Sequence, residues 1–224
     1  MLLLAIDTSG KQGSIALAQA TDPDDLEILA VSAVAGGTFS AQLIPQIIDL
    51  LADQRRTKND IGAFAVVSGP GSFTGLRVGL AAVKALAEVL GKPIAAVSLL
   101  ETCAFAGGIR GKVMAALDAG RNEVYAAEYE IPPQGNPDPN ERLLTKSDFF
   151  DQARELTIVT PDTMLANEAK SSGLSASLLP PINAADVANL GWRKIRRRET
   201  ISPDQLEANY IRRTDAENLR KGRS

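Results

Sequence analysis

Glycines and hydroxyl residues cluster between Ser68 and Gly79, in the run Ser-Gly-Pro-Gly-Ser-Phe-Thr-Gly-Leu-Arg-Val-Gly. An apolar run, Ala63 to Val67, reads as a buried strand. A turn rich in Gly and Pro follows. A helix from about Thr74 to Leu90 then begins at once and stops at Gly91, with Pro93 just beyond. Strand, glycine turn and helix is an arrangement that brings backbone N–H groups to a phosphate. Gly69, Gly71 and Gly75 space as G-x-G-x-x-x-G, one residue longer than the dinucleotide fingerprint, and no Gly-Lys-Ser/Thr follows, so this is not a P-loop. A tight strand-to-helix connection is the commoner use of such a turn.

Composition removes several other chemistries. The chain has no histidine, which excludes a Ser-His-Asp triad, a Cys-His dyad, HExxH and any His-ligated metal. Protease chemistry would need a Ser-Lys or Asp-dyad arrangement, and no local pattern supports either. Cys103 is the only cysteine, so no internal disulfide or thiolate metal cluster forms. A carboxylate-only metal site stays open. With 24 basic and 27 acidic residues the net charge is −3, which does not fit binding of nucleic acid by bulk charge. The basic run from Trp192 to Arg198 reads first as a solvated helix end favoured by the helix dipole, with an RNA contact as the alternative.

These residues need a frame. Met1 to Ile6 is apolar but short, lacks a basic flank and meets Asp7, so it reads as a first strand and not as a signal peptide. No run approaches the length of a membrane span, and a soluble, cytoplasmic protein is expected. Leu2 to Ile6, a polar turn at Asp7–Gly13, and Ser14 to Gln19 make a hairpin, with a third strand over Leu26 to Val34. A helix over about Ser40 to Gln54 carries apolar residues around most of its circumference, which predicts burial on more than one side, and Pro45 predicts a kink. A strand at Pro93–Val97 and a helix over Leu99–Ala106, capped by Ser98, close the first half.

After Gly107–Gly111 the pattern restarts. Val113 to Leu117 leads to Asp118, a polar turn and a strand over Val124–Tyr129, as Leu2 to Ile6 leads to Asp7. We read this as an internal repeat and expect a two-lobed duplicated α/β fold, with lobes at 1–106 and 107–224. Pro132 to Asn140 reads as a surface loop, Ser147–Arg154 and Ala184–Arg197 as helices, and the polar tail from Thr214 as frayed.

The opening LLLAIDTSGKQGSIAL, the central GPGSFTGLRVG, the hairpin LDAGRNEVYAAEY and ANYIRR near the end occur in an order that resembles the TsaB (YeaZ-type) family. This is the smaller, Gcp/Kae1-like paralogue in the bacterial machinery making threonylcarbamoyladenosine in tRNA. The resemblance implies the actin/hexokinase/Hsp70-like (ASKHA) fold with a reduced second lobe. It implies degenerate phosphate loops at Asp7, Thr8, Ser9 and Asp118, facing a cleft, with Asp7 best placed for a magnesium-bound water. It also implies no catalysis and no resident metal: the active paralogue, TsaD, carries a histidine pair that this chain cannot supply. ATP or ADP and magnesium, where they enter, belong to the complex.

Partners follow from the same resemblance: a TsaD-type paralogue as heterodimer, a TsaE-type ATPase, tRNA through the complex, and no membrane. The interface would use the two long helices of the first lobe, through Leu43, Ile47 and Leu51 on one, and Gly75, Gly79, Ala82 and Leu86 on the other. Gly75, Gly79, Ala82 and Leu86 fall on one stripe by helical spacing. That stripe packs either on the chain's own sheet or on a partner. A homodimer through these helices is expected when the partner is absent. Where the family usually begins this region with a histidine, the chain has Phe39. The competing expectation is a small-molecule kinase or ATPase of the same superfamily, built on Asp7 and Asp118.

Overall fold

In the computed structural model, which describes residues 1–22, 25–132 and 140–212, the first strand is buried at every position. β1 (Leu2–Asp7) therefore needs cover on both faces, and it lies at the centre of a sheet. β2 (Gly13–Asp22) pairs with it antiparallel, Asp7 opposite Ser14, and the edge strand β3 (Asp25–Val34) pairs with β2. β4 (Ile61–Gly69) and β5 (Ile94–Ser98) add on the other side in parallel, giving the order β3-β2-β1-β4-β5. Between them run α1 (Phe39–Asp53), continuous through Pro45, and α2 (Phe73–Leu90), which the Ser72 hydroxyl caps by accepting the Gly75 N–H. Gly91, left-handed at φ 63°, ends α2.

The second half repeats this plan. β6 (Gly111–Gly120) and β7 (Glu123–Ile131) form a hairpin whose turn residues Arg121 and Asn122 both take positive φ, as a two-residue turn of matching twist requires. β8 (Arg142–Thr145), β9 (Thr157–Thr160) and β10 (Ala176–Leu178) complete a sheet in the order β10-β9-β6-β7-β8, the same topology as the first. α4 (Lys146–Gln152) and α5 (Thr163–Ser171) occupy the places of α1 and α2 with 7 and 9 residues against 15 and 18. The duplicated two-lobed ASKHA fold with a reduced second lobe is thus observed. β8, α5 and β10 are too short for a periodic pattern, though Asp162, which accepts the Met164 and Leu165 N–H groups, marked the start of α5. The expected frayed tail and most of the Pro132–Asn140 loop lie outside the described residues.

Packing does not follow the expected division at residue 106. α3 (Leu99–Ala106), from the first half, buries Leu100, Cys103 and Ala104 against Val113, Ala115 and Ala127 of the second sheet. α6 (Ala184–Arg196), from the second half, returns Ala184, Val187, Ala188 and Leu190 to the first sheet, covering the face that α1 and α2 leave free. The two helices also meet, and Lys194 Nζ lies 2.9 Å from Glu101 Oε2. Periodicity in the sequence shows that each helix has an apolar face, but not which sheet covers it.

α6 is seated closely. A Cβ on Gly191 would stand inside van der Waals contact of the Ala65 Cβ in β4. Gly191→Ala is expected to lower stability by about 1–3 kcal/mol through overpacking. An unchanged urea midpoint would contradict this seating.

Candidate functional site

β4 ends at Gly69, whose φ of 146° disfavours any side chain, and the Gly69–Pro70 bond is cis. The Asn209 N–H donates to the Ser68 carbonyl at 2.8 Å, so the C-terminal segment lies against this turn. From here the chain folds onto the β1–β2 turn. The Ser72 N–H donates to the Ser9 carbonyl at 2.7 Å. Thr8 Oγ1 donates to the Gly75 carbonyl at 2.8 Å. A Cβ on Gly75 would collide with the Thr8 carbonyl oxygen, and one on Gly79 with the Thr8 hydroxyl. The glycines of α2 therefore serve an internal contact. Phe39 is buried with its ring against Gly13 and Gly75 and seals the same junction.

That packing decides what the Asp7 turn can do. Asp7, Thr8 and Ser9 are all buried, and Asp7 Oδ1 accepts both the Ser9 N–H at 2.8 Å and the Ser9 hydroxyl at 2.6 Å. Burial raises the Asp7 carboxyl above its ordinary range; the Ser9 bonds oppose this and Asp186 in α6 adds repulsion. Cys103, beside the same acids, is pushed up to about 12, mainly by burial, and stays a thiol at neutral pH. Asp118 is exposed at the end of β6. The two carboxylates are not in equivalent settings, and the segment from Gly71 to Gly79 packs closely on Thr8 and Ser9. Among the described residues no group of three or more acidic, His or Cys side chains could hold a metal ion. The expected phosphate loops thus differ in setting: Asp7, Thr8 and Ser9 are buried beneath α2, and Asp118 is exposed.

The expected interface residues divide between the core and the helix surface. Ile47, Leu51, Gly75 and Gly79 are buried in the chain's own core, and Leu86 packs half-buried against it, because α1 and α2 turn those faces to the sheet and to Thr8. Leu43, 1% exposed, forms the floor of a groove of about 470 Å³ between the two helices, and Ala82 forms part of its wall. The open side is lined by Ile44, Phe73, Val78 and Ala81, and Ile48, 59% exposed, stands on the same helix as Ile44, one turn on. At the mouth, the Arg77 guanidinium stacks 3.8 Å from the Phe73 ring centre and donates to the Tyr210 hydroxyl at 3.0 Å. Phe73 and Arg77 at i, i+4 on the face away from Gly75 and Gly79 were the missed sequence signal.

Between the lobes lies a second pocket, of about 370 Å³, walled by Gly71, Leu76, Arg121, Tyr125, Tyr210 and Arg212. A clasp holds its surroundings. The Glu141 carboxylate accepts from Ser98 Oγ at the end of β5, from the Tyr129 hydroxyl at 2.8 Å, and from Asn209 Nδ2 at 2.7 Å. Burial, reinforced by the Glu141 charge, keeps Tyr129 protonated and donating.

Two outcomes follow. Gly75→Ala is expected to lower stability by about 1–3 kcal/mol or more, because a backbone carbonyl cannot swing away; a wild-type urea midpoint would contradict the contact with Thr8. The folded state holds the Asp7 proton more tightly than the unfolded chain does. Asp7 therefore costs nothing in acid and progressively more as pH rises from 3.8 through its folded value. Relative to wild type, Asp7→Asn is expected to gain stability at neutral pH, with the difference shrinking toward pH 3.8. A pH-independent difference in urea midpoints would contradict burial as the cause.

A family model described as TsaD, tRNA N6-adenosine threonylcarbamoyltransferase, matches residues 31–180. The chain is 29% identical to the tRNA threonylcarbamoyladenosine biosynthesis protein TsaB of Escherichia coli, over 95% of both chains. It is 34% identical to TsaB of Bacillus subtilis, over 69% of this chain and 67% of that one. The solved structure of YeaZ from Pseudomonas aeruginosa superposes with a TM-score of 0.70 at 25% identity, covering 93% of this chain and 99% of that one. The duplicated topology and these likenesses, which run through both lobes, make the chain a member of the TsaB (YeaZ) family.

Proposed function

We propose that the chain is the non-catalytic, activating subunit of a complex that makes threonylcarbamoyladenosine in tRNA, and that it pairs with a TsaD-type paralogue through the groove between α1 and α2. The observation that carries this reading is the apolar face left uncovered there, with Ile44, Ile48 and Phe73 exposed around a floor of core residues. Single exposed apolar residues are ordinary, whereas a contiguous groove of them on two long helices fits a protein partner. The absence of histidine supports placing the chemistry on that partner. The names of the E. coli and B. subtilis relatives support the pathway. In this reading a TsaE-type ATPase joins the pair. Nucleotide and magnesium enter with the partners, tRNA is bound by the complex, and the assembly works in the cytoplasm. No helix among the described residues is long and apolar enough to cross a membrane, in keeping with that setting. The kinase or ATPase alternative rested on Asp7 and Asp118, and the filled turn at Thr8 weighs against it.

The test separates the groove from the core beneath it. Ile44→Asp with Ile48→Asp changes exposed positions and is expected to leave the urea midpoint within about 0.5 kcal/mol of wild type. The pair is expected to weaken association with the TsaD-type partner by about 2 kcal/mol or more, as loss of central apolar anchors does. Gel filtration with light scattering, beside a tRNA modification assay, reads both. Unchanged pairing by the double variant would overturn the assignment of this face. A wild-type chain that neither pairs nor stimulates modification would overturn the function, and a homodimer persisting in the partner's presence would assign the groove to self-association.

A further inference from the structure

α6 ends in a dense run of positive charge: Arg193, Lys194, Arg196, Arg197 and Arg198 fall within six residues. Lys194 and Ile195 turn inward, the first to Glu101 and the second to the core. The four arginines are exposed, with the Arg193 guanidinium 4.9 Å above the Phe105 ring. Helical spacing brings Asn189, Trp192, Arg193, Arg196 and Arg197 to one side of α6. There, with Asp25 of the edge strand β3 as an acidic wall residue, they line a groove of about 670 Å³. Cations near a helix C-terminus favour the dipole, which accounts for some of this charge. Arg193 and Arg197 also set like charges at i, i+4, an arrangement that works against the helix. An external polyanion relieves that repulsion. Trp192, partly buried and packed against the core of the first lobe, stands between the arginines and lines the groove.

We propose that this groove is an RNA-docking surface that holds the phosphate backbone of the substrate tRNA. The proposal rests on the partner-subunit reading above, which makes tRNA the polyanion at hand. α6 covers the face of the first sheet opposite α1 and α2, so a partner seated between those helices leaves the groove open.

Trp192 is the only tryptophan, so its emission reports on the groove directly. The full chain is titrated with unmodified tRNA at several salt concentrations, and in parallel with polyglutamate and with phosphatidylserine vesicles. Saturable quenching by tRNA is expected, weakening linearly in log salt. Arg193→Gln and Arg197→Gln in the groove, combined with Arg198→Gln beside it, are expected to reduce affinity about tenfold or more and to lower the salt slope by about one per arginine lost. Arg197→Gln alone, at an exposed position, lowers it by about one. A control removing three charges elsewhere, Lys112→Gln, Arg154→Gln and Lys170→Gln, is expected to bind like wild type. Equal losses in the two triple variants, wild-type affinity in the groove variant, or equal quenching by polyglutamate or vesicles would each overturn the proposal. Association with the TsaD-type partner is measured on the same samples. Intact pairing with unchanged tRNA affinity defeats the docking surface alone, whereas absent pairing of the wild type defeats the partner-subunit reading.

Discussion

The approach of α2 to the β1–β2 turn governs much else in this molecule. Two glycines one helical turn apart, Gly75 and Gly79, let the helix backbone rest on Thr8, and the Thr8 hydroxyl closes the contact by donating to the Gly75 carbonyl. Interior glycines cost a helix roughly 1 kcal/mol each against alanine, so their presence needs a compensating contact, and this is one. The same contact buries Asp7 and Ser9, fills the space above them, and turns the opposite face of α2 outward beside α1. The burial of the Asp7 turn and the opening of an apolar groove thus have one cause.

The second organising feature is the exchange of helices between lobes. α3 covers the sheet of the second half and α6 that of the first, so neither half completes its core without the other. Glu141 adds a polar clasp across the same junction, drawing donors from β5, β7 and the C-terminal segment. This explains how a second lobe with helices of 7 and 9 residues persists, since part of its cover comes from α3. It also sets Asp186 at the start of α6 near Asp7 and Cys103, an acidic and apolar environment that keeps the thiol unreactive.

The first sheet consequently presents two different outer surfaces. On one side α1 and α2 leave an apolar groove with Arg77 stacked at its mouth. On the other, α6 carries its arginines to the edge of β3. A chain with a net charge of −3 shows no bulk attraction for nucleic acid, yet it concentrates positive charge where one helix ends. Surfaces so placed can be engaged together, because the sheet separates them.

The set of elements and their repetition can be read from the chain alone. Strand runs such as Ala63–Val67, the capping Ser72 and Ser98, the stop at Gly91 and the recurring strand-Asp-hairpin are local features, and local sterics and hydrogen bonding decide them. The absence of histidine likewise bounds the chemistry without reference to any fold. The direction each face takes depends on the folded packing. The stripe of Gly75, Gly79, Ala82 and Leu86 is smooth in the sequence, but only the fold shows that Gly75, Gly79 and Leu86 serve the chain's own packing while Ala82 borders the groove. Leu43, Ile47 and Leu51 were legible as apolar, while the exposure of Ile44 and Ile48 depends on which side of α1 meets the sheet. Asp7 and Asp118 look alike in their hairpins, yet one is buried and the other exposed. A periodic pattern specifies that a face is apolar; what covers it is set by residues distant in sequence, which here arrive from the other half of the chain.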